Sequence, residues 1–352
     1  MASNSSCKSL KAQQRTAFDV YVEETKMKLL DRRRFLQWAV GAAALAPVPR
    51  VACAQAYPSR PVRLIVPFGS AGATDITARI IGQWLSERLG QQFVIENRPG
   101  AGSNVGTEAV VRSPADGYTL GLFGAPNAIN MTLYEKLNFN FVRDIAPIAG
   151  VIRFPNLMVV NLSLPTTTVP EFIAYAKANP GKINFASPGA GSTPHVNGEL
   201  FKAMTGINIV HVPYRSVAAA VTDLLSGQVH VIFGTSASTI EYVRSGQARA
   251  LAVTTATRLD VLPDIPTIAE FVPGYEASAW YGLGAPTGTA ADIVERLNHE
   301  VNAGLADSKV KTRFADLGGI AMPGSPADFS KLIAEETEKW AKVVKLSGAK
   351  AD

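Results

Sequence analysis

Two short stretches carry the residue types that chemistry would need. Pro67-Phe68-Gly69-Ser70-Ala71-Gly72-Ala73-Thr74-Asp75 leaves a β-rich run and opens an amphipathic one. Small side chains let a ligand approach the backbone, and the first amides of a helix, unpaired and at its positive end, attract an anion. Ala186-Ser187-Pro188-Gly189-Ala190-Gly191-Ser192-Thr193-Pro194-His195 has the same setting, with Thr193 expected as N-cap and Pro194 at the first helical position. Either stretch alone also fits a plain turn between strand and helix. Together they suggest a small anion gripped from two sides, by backbone dipoles more than by side-chain charge.

Other chemistries find less support. A phosphate-cradling P-loop needs Gly-Lys-Ser/Thr, and neither stretch contains Lys. Gly100-Ala101-Gly102-Ser103-Asn104-Val105-Gly106 resembles a dinucleotide fingerprint, but one extra residue displaces its third Gly, so it is set aside. The histidines His195, His211, His230 and His299 follow no H-E-x-x-H or paired-carboxylate spacing, and no metal or other cofactor is expected. His195 alone follows an anion-friendly turn, where packing or capping and ligand contact are both open. No G-x-S-x-G elbow occurs, since Gly234-Thr235-Ser236-Ala237-Ser238 lacks the second Gly. Of Arg79, Arg98, Arg143, Arg153 and Arg215, only Arg215 follows a strand end in the second half of the chain, so it is the candidate partner for a carboxylate.

The elements that must position these turns alternate strand and helix. Strands are expected at 62–66, 93–96, 118–123, 157–160, 183–186, 209–212, 229–233 and 249–254. Helices are expected at 74–89 and 169–179, after His195 to about 204, up to 225, and over about 289–305, 308–317 and 326–346. Such alternation predicts parallel sheets covered by helices. The last part offers helices and few strands, so it is expected to pack back on the first. That gives one lobe from 57–157 and 279–352, another from 158–278, and two hinge crossings around a cleft. The 352 residues suit two such units.

Charge sharpens the class. Nine of the 34 Lys and Arg and four of the 29 Asp and Glu fall in residues 1–54, leaving 25 of each in the remainder. A formally neutral body argues against nucleic acid or an anionic membrane as partner. Both cysteines, Cys7 and Cys53, lie in that first segment, so no thiol site follows it. Arg32-Arg33-Arg34-Phe35-Leu36, an Ala-rich apolar run and Ala52-Cys53-Ala54 describe a cleavable signal. Twin-arginine and Sec export both remain open, and Met27 is expected as the true start. The expected location is the periplasm.

A series of short motifs runs along the mature chain: Ile65-Val66-Pro67-Phe68 with Gly72 and Thr74-Asp75, Glu96-Asn97-Arg98-Pro99-Gly100-Ala101-Gly102, Asp116-Gly117-Tyr118-Thr119-Leu120 and His211-Val212-Pro213-Tyr214. Leu251-Ala252-Val253-Thr254, Leu262-Pro263-Asp264-Ile265-Pro266-Thr267 and Ala285-Pro286-Thr287-Gly288-Thr289 continue it. In these motifs the chain resembles the Bug (Bordetella uptake gene) family of receptors for tripartite tricarboxylate transporters. The resemblance implies an α/β type II periplasmic-binding-protein fold, a Venus flytrap of two α/β lobes, without catalysis. The expected partners are a small organic carboxylate and the permease subunits of a transporter, with the receptor a monomer. The carboxylate would be a di- or tricarboxylate, an aromatic acid or an acidic amino acid. Binding residues implied are Phe68, Ala71, Gly72, Thr74 and Asp75 in one lobe, and Ser187, Gly189, Gly191, Ser192, Thr193 and His195 in the other. This chain departs from the family pattern at Gly69-Ser70-Ala71, Pro194, Arg215-Ser216-Val217 and Gly234-Thr235, so a typical member's ligand does not transfer. A sensor domain's ligand-loaded partner and a periplasmic enzyme acting on small carboxylates are the alternatives.

Overall fold

The computed structural model describes residues 57–351. The expected signal segment, with Met27 and Cys53, lies outside the described residues.

The chain begins with β1 (Val62–Val66), α1 (Ala73–Leu89), β2 (Phe93–Asn97), α2 (Asn104–Val111), β3 (Thr119–Gly124), α3 (Ala125–Leu133) and α4 (Phe141–Asp144). The long strand β4 (Ile145–Val160) follows, then α5 (Val169–Ala178), β5 (Asn184–Ser187), α6 (Thr193–Thr205), β6 (Val210–Pro213), α7 (Val217–Leu225), β7 (Val231–Thr235), α8 (Ser236–Arg244) and β8 (Arg249–Val253). It ends with β9 (Ser278–Pro286), α9 (Ala291–Ala306), α10 (Ser308–Asp316), β10 (Ile320–Ala321) and α11 (Pro326–Ser347).

Short apolar runs make the strands. Val62, Leu64, Ile65 and Val66 are buried while Arg63 is exposed, as expected for an inner strand covered on both faces. β1 pairs in parallel with β2 and β3, and β5 pairs in parallel with β6 and β7. The strand order β2-β1-β3-β9-β4-β7-β5-β6 puts the early strands on one side and the later ones on the other. α1 stops at Gly90, whose φ of 71° closes the last turn through a bond to the Ser86 carbonyl.

β4 joins the two sides. Residues 145–155 pair antiparallel with β9, and residues 156–160 pair with β7 and β8. The sequence foresaw only 157–160 of it, because Pro147, Gly150 and Pro155 read as breakers. Register shifts at Pro147/Ala149 and Gly150/Ile152 absorb the first two, and Pro155 stays in register opposite Ser278, so the ladder continues through two bulges. α3 and α8 were also unforeseen. Both follow directly on strands, β3 and β7, with no loop to announce them.

The C-terminal helices pack on earlier elements of the chain. Trp84 in α1 donates to the Glu300 carbonyl in α9. α11 rests on both α3 and α6, helices from opposite sides of the sheet. At its centre the buried Glu336 accepts from Trp280 Nε1 on β9 and Trp340 Nε1, each at 2.9 Å. Large buried side chains such as Phe123, Phe154, Phe185, Phe233 and Trp280 fill the core. No helix among the described residues is long and apolar enough to cross a membrane.

Candidate ligand-binding cleft

Parallel strands aim their C-terminal ends, and the helices that follow them, at one edge of a sheet, which is where such folds hold ligands. Here helices from both sides of β4 begin around one small cavity of about 30 Å3. Its walls include Gly72 and Thr74 at the start of α1, Pro126 at α3, Ser192 and Thr193 at α6, and Thr235 at α8. Phe68, Pro188, Val217 and Tyr281 are among the other residues that line it.

The starts of α1, α6 and α8 lack side-chain caps, whereas at the start of α7, beside the cavity residue Val217, Ser216 accepts from the Ala219 amide at 3.2 Å. Gly72 has none to offer. Ser192, the N-cap of α6, sends its hydroxyl to the Gly189 carbonyl at 2.6 Å, and Thr235, the N-cap of α8, shares its hydroxyl with Ser238. α6 thus begins one residue earlier than expected: Ser192 caps, Thr193 is the first helical residue and Pro194 the second. Away from the cavity, Thr168, Asp307 and Ser325 each accept an amide hydrogen bond at their helix starts. Uncapped first-turn amides keep their hydrogen-bonding capacity and the positive helix end.

Asp75 is 3% exposed and does not border the cavity. Its carboxylate accepts from the Ala71 amide at 3.1 Å, twice from Arg79 at 2.9 Å and from Asn97 Nδ2 at 3.1 Å. Burial alone would raise its pKa, but these donors together hold it below the ordinary carboxylate value. Asp75 therefore shapes the first turn, whose Ala71 has φ 64°.

The second turn is shaped by imidazoles. His195 Nδ1 accepts from the Gly191 amide at 3.2 Å, so the proton sits on Nε2. Its ring stacks on His211, centroids 4.1 Å apart, and His211 Nε2 meets Ser187 Oγ at 2.6 Å. Burial, followed by the nearby His211 and Lys202, pushes the His195 pKa down to about 3. Ser187, Gly191 and His195, like Ala71 and Asp75, support the turns from behind the cavity walls.

A second cavity of about 360 Å3 adjoins the first, with Phe68 and Pro188 bordering both. Gly189, Tyr214, Arg215 and the loop Pro99–Ser103 line it. That loop is the stretch set aside as a false dinucleotide fingerprint, and it belongs to the cleft. Ala71, Ala101 and Ser103 are the non-glycine residues with positive φ among the described residues, and all three lie in the cleft's loops. A Cβ on Gly102 would lie 2.2 Å from the Ala190 carbonyl oxygen, and one on Gly191 2.1 Å from Asn130 Oδ1. Glycine is what lets the loops of the two sides come this close.

The arginines separate by their partners. Arg79 holds Asp75, Arg98 holds Glu96, Arg143 holds Asp144 and Arg153 reaches Glu336 at 3.9 Å. Arg215 is exposed, lines the larger cavity and pairs with no carboxylate among the described residues. Tyr281, which the sequence reading missed, is buried and borders the smaller cavity together with Thr74. Its place on β9, some 200 residues after the first turn, gave no local signal. Among the described residues no group of three His, Cys, Asp or Glu is placed to hold a metal.

Residues 77–349 match the family model described as "Tripartite tricarboxylate transporter family receptor". Protein BugT of Bordetella pertussis is 37% identical over 310 residues, spanning 87% of this chain and 95% of that protein. The solved structure of R. palustris Rpa4515 with adipate is 39% identical, covers 84% of this chain and all of its own, and superposes with a TM-score of 0.82. MatC of Rhodopseudomonas palustris with bound malate is 31% identical, covers 82% of this chain and all of its own, and has a TM-score of 0.79.

Proposed function

This chain belongs to the receptor family of tripartite tricarboxylate transporters, and from that premise we propose that it captures a small organic carboxylate in the cleft and delivers it to a transporter's membrane permease. The family is one of solute-binding receptors, not enzymes, and the fold is that of periplasmic binding proteins. The periplasm is the compartment in which such a receptor works, after removal of the N-terminal segment.

One observation carries the reading. Uncapped helix starts from both sides of β4 open on one cavity that no Asp or Glu among the described residues borders. Such a site offers amide hydrogens and positive helix ends to an anion, and nothing that repels one. Relatives described with adipate and with malate support a carboxylate as that anion. In this reading 57–157 with 279–352 and 158–278 act as lobes of a monomer, and the ligand favours the closed form by touching both.

Native mass spectrometry of the purified protein should reveal a co-purified organic acid, and thermal-shift screening should find acids that raise the melting temperature. If mono-, di- and tricarboxylates, aromatic acids and acidic amino acids all leave the transition unmoved, carboxylate capture is wrong.

A further inference from the structure

We propose that this receptor selects dicarboxylates that carry no amine, and that Arg215 pairs the outer carboxylate while the helix starts hold the inner one. The proposal rests on the carboxylate-capture reading and narrows its ligand class.

The cleft has two compartments of different character. The inner one, about 30 Å3, has room for little more than one small polar group, and its polar walls are helix starts and hydroxyls. The outer one, about 360 Å3, has the size of a compact ligand pocket. Phe68 and Pro188 border both, so a ligand reaching from one to the other passes between an aromatic ring and a pyrrolidine ring. An apolar carbon spacer suits that passage.

Charge sets the two ends. Arg215 is the single formally charged side chain lining either compartment among the described residues. The hydroxyl of its neighbour Tyr214 is already committed to Asp223 Oδ2 at 2.6 Å. The other four candidate arginines are tied to carboxylates, whereas the Arg215 guanidinium holds none. Its planar fork matches a carboxylate in two parallel hydrogen bonds. A monocarboxylate in the inner compartment would leave that fork unused, and a diacid fills both.

An ammonium group has no counterpart. Among the described residues no Asp or Glu borders either compartment, and Asp75 behind the first turn is occupied by Arg79, Asn97 and the Ala71 amide. Enclosing an unpaired ammonium beside helix N-termini costs free energy twice, through lost hydration and through repulsion by the positive helix ends.

Titration calorimetry on the purified protein tests this with linear diacids of four to eight carbons. Each is measured beside the monoacid of equal length, and the tightest diacid also beside its 2-amino derivative. The monoacid and the amino derivative should each bind at least tenfold more weakly than the diacid. Arg215→Gln should weaken the diacid at least tenfold more than it weakens the monoacid, and Arg215→Lys should fall between. Equal affinity for diacid and monoacid, tighter binding of the amino derivative, or equal losses on both acids in R215Q overturns the proposal and leaves carboxylate capture standing. Silence from every acid overturns both.

Discussion

Asp75 illustrates how one buried side chain can serve a binding turn without touching the ligand. Its carboxylate ties the Ala71 amide, Asn97 and Arg79 into one knot beneath the first turn. Replacing it by Asn removes the charge that Arg79 answers, and Asp75→Asn should cost about 1–3 kcal/mol of stability, read as a lower denaturant midpoint. Because its folded pKa lies below the unfolded value, its stabilisation is complete above about pH 4 and is lost as pH falls through the folded pKa. His195 acts in the opposite chemical sense but in the same direction on the pH axis. Its folded pKa of about 3 lies below the ordinary 6.5, so the unfolded chain takes up the proton first. Each pH unit below 6.5 then costs about 1.4 kcal/mol until the ring itself titrates. The charged or titratable neighbours of that ring are His211, in stacking contact, and Lys202. His195→Gln, which keeps an acceptor for the Gly191 amide, should flatten the fall in melting temperature between pH 6.5 and 4; an unchanged slope would assign the acid sensitivity to other groups.

The loops facing across the cleft set how closely it shuts. Gly102 lies where a Cβ would press on the Ala190 carbonyl. Gly102→Ala should lower the melting temperature of the ligand-free protein, because φ 59° strains any Cβ, and should also weaken carboxylate affinity about tenfold or more through the press on Ala190. Calorimetry beside a melting curve separates the two effects. The elements holding these loops were legible to different degrees. β1 with α1, and β5 with α6, announced themselves through an apolar run, a small-residue turn and a helical period, all within about 25 residues. β4 did not, because its two prolines argue locally against a strand and only partners on both sides override them. The loop at 100–103 was discounted for failing one pattern, while its role comes from packing against Ala190, which sequence spacing does not encode. Arg215 was singled out by position after a strand. What distinguishes it is that the other candidate arginines found carboxylates, and those pairings exist only in three dimensions.

At the scale of the molecule, binding and stability are linked by mass action. A ligand at a hundred times its dissociation constant adds about 2.7 kcal/mol to the folded form. For a body of this size that is a rise of several degrees in the melting temperature. The sheet order has a further consequence for how the chain matures. β3 finds its second neighbour only in β9, and β9 in turn lies against β4, so the early strands await a segment near residue 280. A nascent chain lacking that segment has an open edge at β3 and unsheltered apolar surface on Leu120, Leu122 and Phe123. A fragment ending at residue 277 should therefore be digested quickly by protease where the full chain resists. The order of the strands thus keeps the first sheet edge unfinished while the chain between Gly124 and Ser278 is made, and sets a long interval between the appearance of β3 and its coverage.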